Sequence, residues 1–212
     1  MIIVTTAMVT TGINCSESGD ILLPDPDRTG GMPLMEALDR RASQRQFSDR
    51  ELTPQQLSNL LWAAWGYNRE EEEKRTAPSS RNSQEIDIYV SLKKGTYIYD
   101  AKENRLIQVN ERDIRALTGT QDFPAQAPVN LIFVADMERR GYGPDQEPGD
   151  SDILSAWANS GFISQNIYLY CASEGLASVV RAMVDRNLLS EELQLRSNQL
   201  VIMAHSVGFP QQ

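Results

Sequence analysis

Apolar and polar positions along the chain repeat with both helical and strand periods. In the segment 54–65 the leucines recur at the three- and four-residue intervals of an amphipathic helix. Thr53 and Gln56 have the spacing of a capping box at its start, and Gly66 follows its last apolar residue. A first helix is predicted over 32–41, where apolar residues share one face.

Strand patterns follow these helices. Residues 86–92 alternate between apolar and polar side chains, as a half-buried strand does. The segments 97–100 and 105–109 continue this pattern after short turns, which predicts an antiparallel meander. The runs 128–136 and 200–207 are apolar almost throughout, which is typical of central strands that are buried on both faces.

The longest helical pattern covers 152–174. It carries few charges and is apolar nearly all round, so we expect it at the centre of the fold or at a subunit interface. Shorter helices are predicted over 111–119 and 188–195. The segment 137–151 is polar and rich in Gly and Pro, and we interpret it as either disordered or a functional lid.

Length and composition favour one domain. The chain has 212 residues, of which 41% are hydrophobic, and it shows no internal repeat. The mixed order of helices and strands predicts the α+β class, with an N-terminal arm over 1–31 and the domain over 32–212. The arm is too polar for a membrane span and lacks the basic start of an export signal. We expect a cytoplasmic protein; the alternative is a periplasmic protein whose export signal has been trimmed.

Charge and rare residues narrow the possible chemistry. A net charge of −9 disfavours nucleic acid and anionic membranes as partners. Two cysteines and one histidine do not provide a disulfide framework or a Cys/His zinc site, so no metal is expected. Cys171 lies among apolar residues and is interpreted as a core residue.

A basic cluster follows the first predicted helix. Arg40, Arg41 and Arg45 lie close together in the chain, with Ser43 between them. One interpretation is a solvated helix cap, because the helix dipole favours cations at this end. The alternative is an anion site, since guanidinium groups and a hydroxyl suit the oxygens of a phosphate.

An unusually long polar segment precedes the strand 86–92. Pro78 is followed by Ser79, Ser80 and Asn82, although fewer residues normally suffice to enter a strand. These side chains either make local turns or are directed at a ligand. An Asn amide can donate and accept at once, which suits the edge of a heterocycle.

Three further candidates lie near the C-terminus. Gly175, after Glu174, is interpreted as a helix C-cap or as a point of close backbone approach to a flat ligand. Arg181 is a candidate anion contact, and a surface role is equally open. His205 lies in an apolar strand without a nucleophile or acid at triad spacing, which favours a core role over that of a catalytic base.

Four motifs, taken in order, resemble the FMN-dependent nitroreductase family. They are RASQRQF at 41–47, APSSRNSQ at 77–84, GFISQNIYLYCASEGL at 161–176 and VGFP at 207–210. The resemblance extends from about residue 32 to 210. The stretch that includes the first two helices and the strand 86–92 looks closest to a branch related to the azoline-oxidising dehydrogenases.

The resemblance implies a fold and a set of partners. The implied fold has three layers, with a central, mostly antiparallel sheet flanked by helices and a long buried central helix. The family is an obligate homodimer that holds both flavins at the subunit interface. FMN is therefore the implied cofactor, and NAD(P)H is the implied electron donor.

The resemblance also implies cofactor contacts. Arg41, Ser43 and Arg45, with Ala42 between them, match the residues that hold the FMN phosphate and ribityl chain. Pro78, Ser79 and Ser80 match a loop that reaches the flavin of the partner subunit, and Asn82 lies in the same motif. Glu174, Gly175 and Leu176 match the turn beside the isoalloxazine, where a backbone N–H faces N5.

One departure from the family pattern concerns the phosphate. Many members have a basic residue after the final Gly-x-Pro strand, whereas this sequence reads VGFPQQ. Arg181 is the candidate replacement, unless Arg41 and Arg45 hold the phosphate alone. His205 is added as a candidate contact because it lies near the flavin-facing end of that strand.

The implied activity is an FMN-dependent oxidoreductase that uses a ping-pong mechanism. It would pass electrons from NAD(P)H to an electron-poor small molecule of the nitroarene or quinone type. No catalytic side chain is predicted, because flavin chemistry of this kind needs no side-chain acid or base. Two alternatives are a flavin dehydrogenase acting on a peptide azoline or similar heterocycle, and a non-catalytic flavin-binding protein.

Overall fold

A computed structural model describes residues 19–211. Within this range the chain forms nine strands and four α-helices. The strands are β1 (Ile21–Leu22), β2 (Tyr67–Arg69), β3 (Lys74–Arg75), β4 (Ile86–Leu92), β5 (Gly95–Asp100), β6 (Arg105–Asn110), β7 (Val129–Asp136), β8 (Ala177–Arg181) and β9 (Gln199–Gly208). The helices are α1 (Leu34–Arg40), α2 (Pro54–Trp65), α3 (Asp150–Glu174) and α4 (Arg186–Glu192).

Seven of the strands form one antiparallel sheet. Their order is β1-β6-β5-β4-β7-β9-β8, and β2 pairs with β3 in a separate hairpin. In the middle of the sheet, Ile86 of β4 lies opposite Ala135 of β7, and Ser91 lies opposite Asn130. Every residue of β7 is buried, so the prediction of a central strand over 128–136 is confirmed.

Helices cover both faces of the sheet. On one face, Leu60 of α2 and Ile163 of α3 belong to the same apolar core as Phe133 of β7. On the other face, Leu189 of α4 shares a second core with Ile132. Neighbouring residues of a strand point to opposite faces, so β7 serves both cores. The three layers confirm the predicted α+β fold.

The long helix α3 has two different faces. Ile163 and Ile167 are fully buried against the sheet. On the outer face, Leu154 and Phe162 keep 69% and 47% of their surfaces exposed. Gly161 lies between them in sequence and is also exposed. A single chain therefore leaves an apolar surface uncovered along its central helix.

The signals at the start of α2 form the predicted capping box. The Gln56 N–H donates to Thr53 Oγ1 at 3.2 Å, and the Thr53 N–H donates to Gln56 Oε1 at 3.0 Å. These two bonds satisfy backbone and side-chain groups that the first turn of a helix leaves open. The sequence pattern and the local geometry agree here because both depend on neighbouring residues only.

The helix predicted over 111–119 is wrong. The chain forms only a 3₁₀ turn, Arg115–Thr118, in this segment. The Arg115 N–H donates to the Asp113 carboxylate at 3.1 Å, and Thr118 Oγ1 donates to the Arg115 carbonyl at 2.8 Å. These local side-chain bonds compete with α-helical backbone bonds and hold the shorter turn.

The segment 137–151 has more structure than a disordered loop. It begins with the 3₁₀ turn Met137–Arg140, and α3 starts at Asp150. The Tyr142 hydroxyl donates to Asp152 Oδ2 at 2.8 Å and accepts the Gly149 N–H at 3.1 Å. Asn198 Nδ2 also donates to the Tyr142 carbonyl at 3.0 Å. The segment is thus bonded to α3 and to the start of β9.

The part of the predicted arm that the structure describes, from residue 19 onward, contributes to the sheet. Ile21 and Leu22 pair with Leu106 and Arg105 of β6. Ile21 is buried, as is Leu23. Residues 1–18, which include Cys15, lie outside the described residues. Among the helices that the structure describes, none is long and apolar enough to cross a bilayer.

Candidate functional site

The basic segment after α1 is held against the edge of the sheet. The Arg41 N–H caps α1 by donating to the Ala37 carbonyl at 3.0 Å. Further along, the Gln44 N–H donates to the Ser178 carbonyl of β8 at 2.9 Å. Phe47 is buried beside Ala177 at the end of this segment. The segment 41–47 therefore lies along β8.

Three arginines of this region have different environments. Arg40 is paired with Glu36 at 2.5 Å, one helical turn earlier. Arg41 and Arg45 have no carboxylate partner among residues 19–211. Arg45 is exposed and Arg41 is half-buried. In a chain of net charge −9, these two cations without an acidic partner are available to an external anion.

Tyr168 of α3 organises the basic segment, and the sequence analysis did not identify it. Its hydroxyl lies 2.7 Å from Ser43 Oγ and accepts the Val180 N–H at 3.0 Å. The Arg41 guanidinium lies over the Tyr168 ring, 5.3 Å from its centroid, in cation–π geometry. The sequence carried one signal for this role, a tyrosine within a helix that was predicted to be buried. A buried tyrosine hydroxyl needs a hydrogen-bond partner, which a neighbouring segment must supply.

The turn at the end of α3 closes the other side of the same cleft. Gly175 adopts a left-handed conformation with φ 67°, as expected of a C-cap glycine. The N–H groups of Gly175 and Leu176 both donate to the Cys171 carbonyl. The N–H groups that the resemblance directs towards a flavin are thus used within the cap in this structure. Glu174 remains exposed beside the turn.

The cleft is partly open to solvent and spans about 450 Å³, and residues of three of the four sequence motifs line it. Arg40 lines it, together with Ala42 and Gln44 of the basic segment, Tyr168 of α3, Leu176 of the turn and Pro210 of the VGFP motif. Arg41, Ser43 and Arg45 lie beside the cleft and not in its lining. Burial raises the pKa of Cys171 to about 12, so this lining thiol is an uncharged core group, as predicted.

The polar segment 77–84 lies elsewhere on α3. The Ser80 N–H donates to Asn159 Oδ1 at 3.1 Å, and the Arg81 side chain is paired with Asp152. Asn159 precedes Tyr168 by nine residues, which corresponds to roughly 14 Å along a helix. The structure therefore places the Pro78–Asn82 loop and the basic cleft at two separate positions along the same helix, about two and a half turns apart.

The backbone of this loop is strained. Arg81, Asn82 and Gln84 have φ values of 57°, 53° and 47°. The left-handed region costs a non-glycine residue on the order of 1 kcal/mol, and asparagine tolerates it best. The Gln84 N–H donates to Ser79 Oγ at 3.0 Å, which closes the loop on itself. Pro78 and Asn82 stay exposed, so the loop tip is open to a partner.

Arg181 does not reach the cleft. It is buried on the opposite face of the sheet, where it donates to Thr118, Asn130 and Ser206 at 2.7–3.2 Å. All of these acceptors are uncharged, and burial lowers the pKa of Arg181 to about 10. Both the surface role and the phosphate contact considered for it disagree with this position. It instead bonds the Arg115–Thr118 turn to the sheet.

His205 is a core residue. It has no exposed surface, and its Nδ1 lies 2.9 Å from Ser164 Oγ. The Tyr168 ring stands edge-on to the imidazole, with centroids 4.7 Å apart. His205 therefore lies beneath Tyr168 and contacts the candidate site only through that ring. The predicted core role is confirmed, and direct contact with a ligand in the cleft is not supported.

The remaining chemistry of the described residues is limited. Within 19–211 no group of His, Cys, Asp and Glu side chains has a metal-binding arrangement. Around the cleft lie the Arg41 guanidinium over the Tyr168 ring, the Ser43–Tyr168 hydroxyl pair and the turn at Gly175. Such a site can bind a phosphorylated ligand and leave the chemistry to it.

Comparisons with known proteins show which proteins the chain is similar to. The model of the nitroreductase family matches residues 38–209. A Methanocaldococcus jannaschii protein named as a nitroreductase is 29% identical over 196 residues, which cover 87% of this chain and 94% of that protein. A solved structure from Ralstonia eutropha, also named as a nitroreductase, is 40% identical over 94% of both chains, with a TM-score of 0.85.

A more distant solved structure shows the same fold. The NADPH:FMN oxidoreductase of Vibrio harveyi, solved in complex with NAD+, gives a TM-score of 0.62 at 23% identity. The match covers 84% of this chain and 69% of that one.

The environment of His205 predicts that the folded protein loses stability as the pH falls. Burial and then the charge of Arg181 lower the pKa of His205 from 6.5 to about 3. As pH falls below 6.5 the unfolded chain binds a proton that the folded chain does not. Between pH 7.0 and 5.5, this should lower the free energy of unfolding by about 1 kcal/mol, measured by urea titration.

The sequence contains one histidine, so a His205→Asn variant is a direct control. The Asn side chain can still reach Ser164, because its amide occupies the position of Nδ1. The variant should lose the pH dependence in this window. An equal slope in both proteins would contradict the assignment of a neutral, buried His205.

Proposed function

The chain belongs to the nitroreductase family of oxidoreductases, and we propose that it is an FMN-dependent NAD(P)H oxidoreductase acting on electron-poor small molecules. The observation that carries the proposal is the cleft beside β8. Beside it, Arg41 lies over the Tyr168 ring next to the Ser43–Tyr168 hydroxyl pair, and neither Arg41 nor Arg45 has an acidic partner among the described residues. This set of donors suits the terminal phosphate of FMN.

The residues of the cleft have distinct roles in this proposal. Arg41 and Arg45 neutralise the phosphate, and Ser43 donates to the phosphate or the ribityl chain. Gly175 has no side chain, so a flat ring system can approach the backbone at this turn. When bound, FMN would supply the redox chemistry, taking electrons from NAD(P)H and delivering them to a nitroarene or quinone in a ping-pong cycle.

We further propose that the active form is a homodimer that shares each flavin site. The Pro78–Asn82 loop cannot serve the cleft of its own chain, because roughly 14 Å of α3 separates their anchors Asn159 and Tyr168. A two-fold axis crossing α3 near residue 163 would bring the loop of one chain to the cleft of the other. Exposed Gly161 would allow the two helices to approach closely.

Apolar surface supports the same arrangement. The short helix α1, which packs against α3, leaves Leu34, Met35 and Leu38 exposed at 62%, 75% and 44%. Exposed apolar surface of this kind marks an interface more often than a free surface. A second copy of the chain would cover both helices.

The phosphate assignment predicts the behaviour of an arginine variant. Arg41→Ala combined with Arg45→Ala should lower FMN affinity by about 100-fold or more, since two charge-assisted hydrogen bonds are lost. Riboflavin lacks the phosphate, and its affinity should change little. Titration of apoprotein with both flavins, followed by flavin fluorescence, measures the difference.

The matched control for this variant is Arg112→Ala. It removes the same charge from an arginine that is paired with Glu192 of α4 and does not line the cleft. FMN affinity should fall far less in this control. A double variant that is purified yellow, with a full complement of flavin, would refute the phosphate assignment.

The proposed activity predicts rapid cofactor reduction. Mixing the FMN-loaded protein with NADH or NADPH should bleach the flavin absorbance, and a quinone or nitroarene should restore it. Steady-state double-reciprocal plots should give the parallel lines of a ping-pong mechanism. If neither nucleotide reduces the bound flavin, the non-catalytic flavin-binding alternative holds instead.

The shared site predicts that dimer disruption removes flavin. Phe162→Glu places a charge on the exposed face of α3 without entering the core, because 47% of this side chain is already exposed. The variant should sediment as a monomer and lose FMN. Met183→Glu, at a residue 59% exposed in the β8–α4 connection, should retain both properties. A monomeric Phe162→Glu variant with unchanged FMN affinity would exclude a shared site.

A further inference from the structure

A buried charge network lies beneath the Pro78–Asn82 loop. The side chains of Glu85 and Arg140 are 0% and 1% exposed. Arg140 donates to Glu85 Oε1 at 3.2 Å and to Asp152 Oδ1 at 2.7 Å, so it bridges the two carboxylates. Burial of charges is costly, and such networks often contribute little net stability. We therefore look for a role of this network other than stability.

The network contacts the loop from the Glu85 side. Ser83 Oγ donates to Glu85 Oε2 at 2.6 Å, and Asn159 Nδ2 donates to Glu85 Oε1 at 2.7 Å. The other end of the Asn159 amide accepts the Ser80 N–H at 3.1 Å. Glu85 thus fixes the orientation of Asn159, and Asn159 fixes the backbone of the loop.

The network also contacts the loop from the Asp152 side. The Asp152 carboxylate is paired with Arg81 of the loop, with Arg140 and with the Tyr142 hydroxyl. Two carboxylates and two guanidinium groups therefore balance each other within one network. Its members come from the loop, from the segment 137–151 and from the first turns of α3.

The strained backbone indicates what this network does. Left-handed conformations at Arg81 and Gln84 persist only where the surroundings over-determine them. Charge-assisted bonds on both sides of the loop meet that requirement. They hold Pro78, Ser79 and Asn82 in one arrangement before any ligand arrives, which reduces the entropy cost of binding.

We propose that Glu85, Arg140 and Asp152 are positioning residues for the flavin site of the partner subunit. They act through the Pro78–Asn82 loop and have no contact with the cleft of their own chain. The inference rests on the proposed function, because it requires FMN at a site shared by two chains. It also gives the segment 137–151 the role of an anchor, in place of the disordered segment or lid considered from the sequence.

The test uses a charge-balanced double variant, Glu85→Gln with Arg140→Met. It removes one charge of each sign, so that no buried charge is left alone, and Asp152 keeps its pair with Arg81. FMN affinity of the homodimer should fall on the order of 10-fold because the loop is no longer held. The control Asp113→Asn with Arg115→Met removes an ion pair distant from both anchors and should bind FMN normally.

Mixed dimers separate positioning from general loss of structure. One chain carries Arg41→Ala and Arg45→Ala, and the other carries Glu85→Gln and Arg140→Met, with a different affinity tag on each. In the purified mixed dimer, the intact arginines of the second chain face the intact loop of the first. One of the two sites should therefore bind FMN with wild-type affinity, although neither homodimer does.

Each outcome decides the proposal. A mixed dimer without a wild-type site, or a network homodimer with unchanged FMN affinity, would overturn it. If the buried double variant does not fold, Arg81→Ala replaces it, because that side chain is 70% exposed. Its FMN affinity should fall several-fold and recover in the mixed dimer, and an unchanged affinity would overturn the proposal. A wild-type protein that binds no FMN would instead refute the proposed function itself.

Discussion

The packing of α3 against the antiparallel sheet is the constraint on which the other features depend. Ile163 and Ile167 bury one face of the helix, and this fixes its rotation and its position along β4 and β7. The positions of the polar side chains that α3 contributes to the candidate site then follow from the helical repeat. Asn159 is presented to one loop and Tyr168 to another, at a distance that the rigid helix sets. A site that needs both loops must therefore be assembled from two helices, and the uncovered outer face of α3 is where a second helix can lie.

The arginines of this chain show how burial and partners decide the role of a residue. Arg181 is surrounded by neutral acceptors and connects a turn to the sheet. Arg140 is equally buried but lies between carboxylates, where it can hold a loop in a strained conformation. Arg41 and Arg45 keep their guanidinium groups available, although Arg40 beside them is already paired. Arginine side chains thus join a turn to the sheet, hold a loop in place and remain available to bind an anion.

Elements governed by local periodicity could be predicted from the sequence, whereas contacts between distant segments could not. The α2 helix with its capping box and the central strand β7 were both visible in the pattern of residues. The role of Tyr168 depends on Ser43 and Val180, which lie on other elements and meet it only after the sheet and helix have packed. The charge of Arg181 made it a candidate for the phosphate, with a surface role equally open. Its true environment is set by the alternation of β8, which directs it to the opposite face, and no local signal distinguishes the two faces of that strand.

The two-residue strand β1 has a consequence for where the chain can be shortened. Its pairing with β6 satisfies backbone groups that would otherwise form an open sheet edge, and Ile21 and Leu23 bury apolar surface beside it. The family match begins only at residue 38, so trimming to that match would remove this cover. The trimmed sheet would present β6 as a free edge, and unpaired edges are templates for intermolecular strand addition. A unit that keeps its sheet edge covered is therefore longer than the region that the family model matches, and the difference includes a few residues that protect against aggregation.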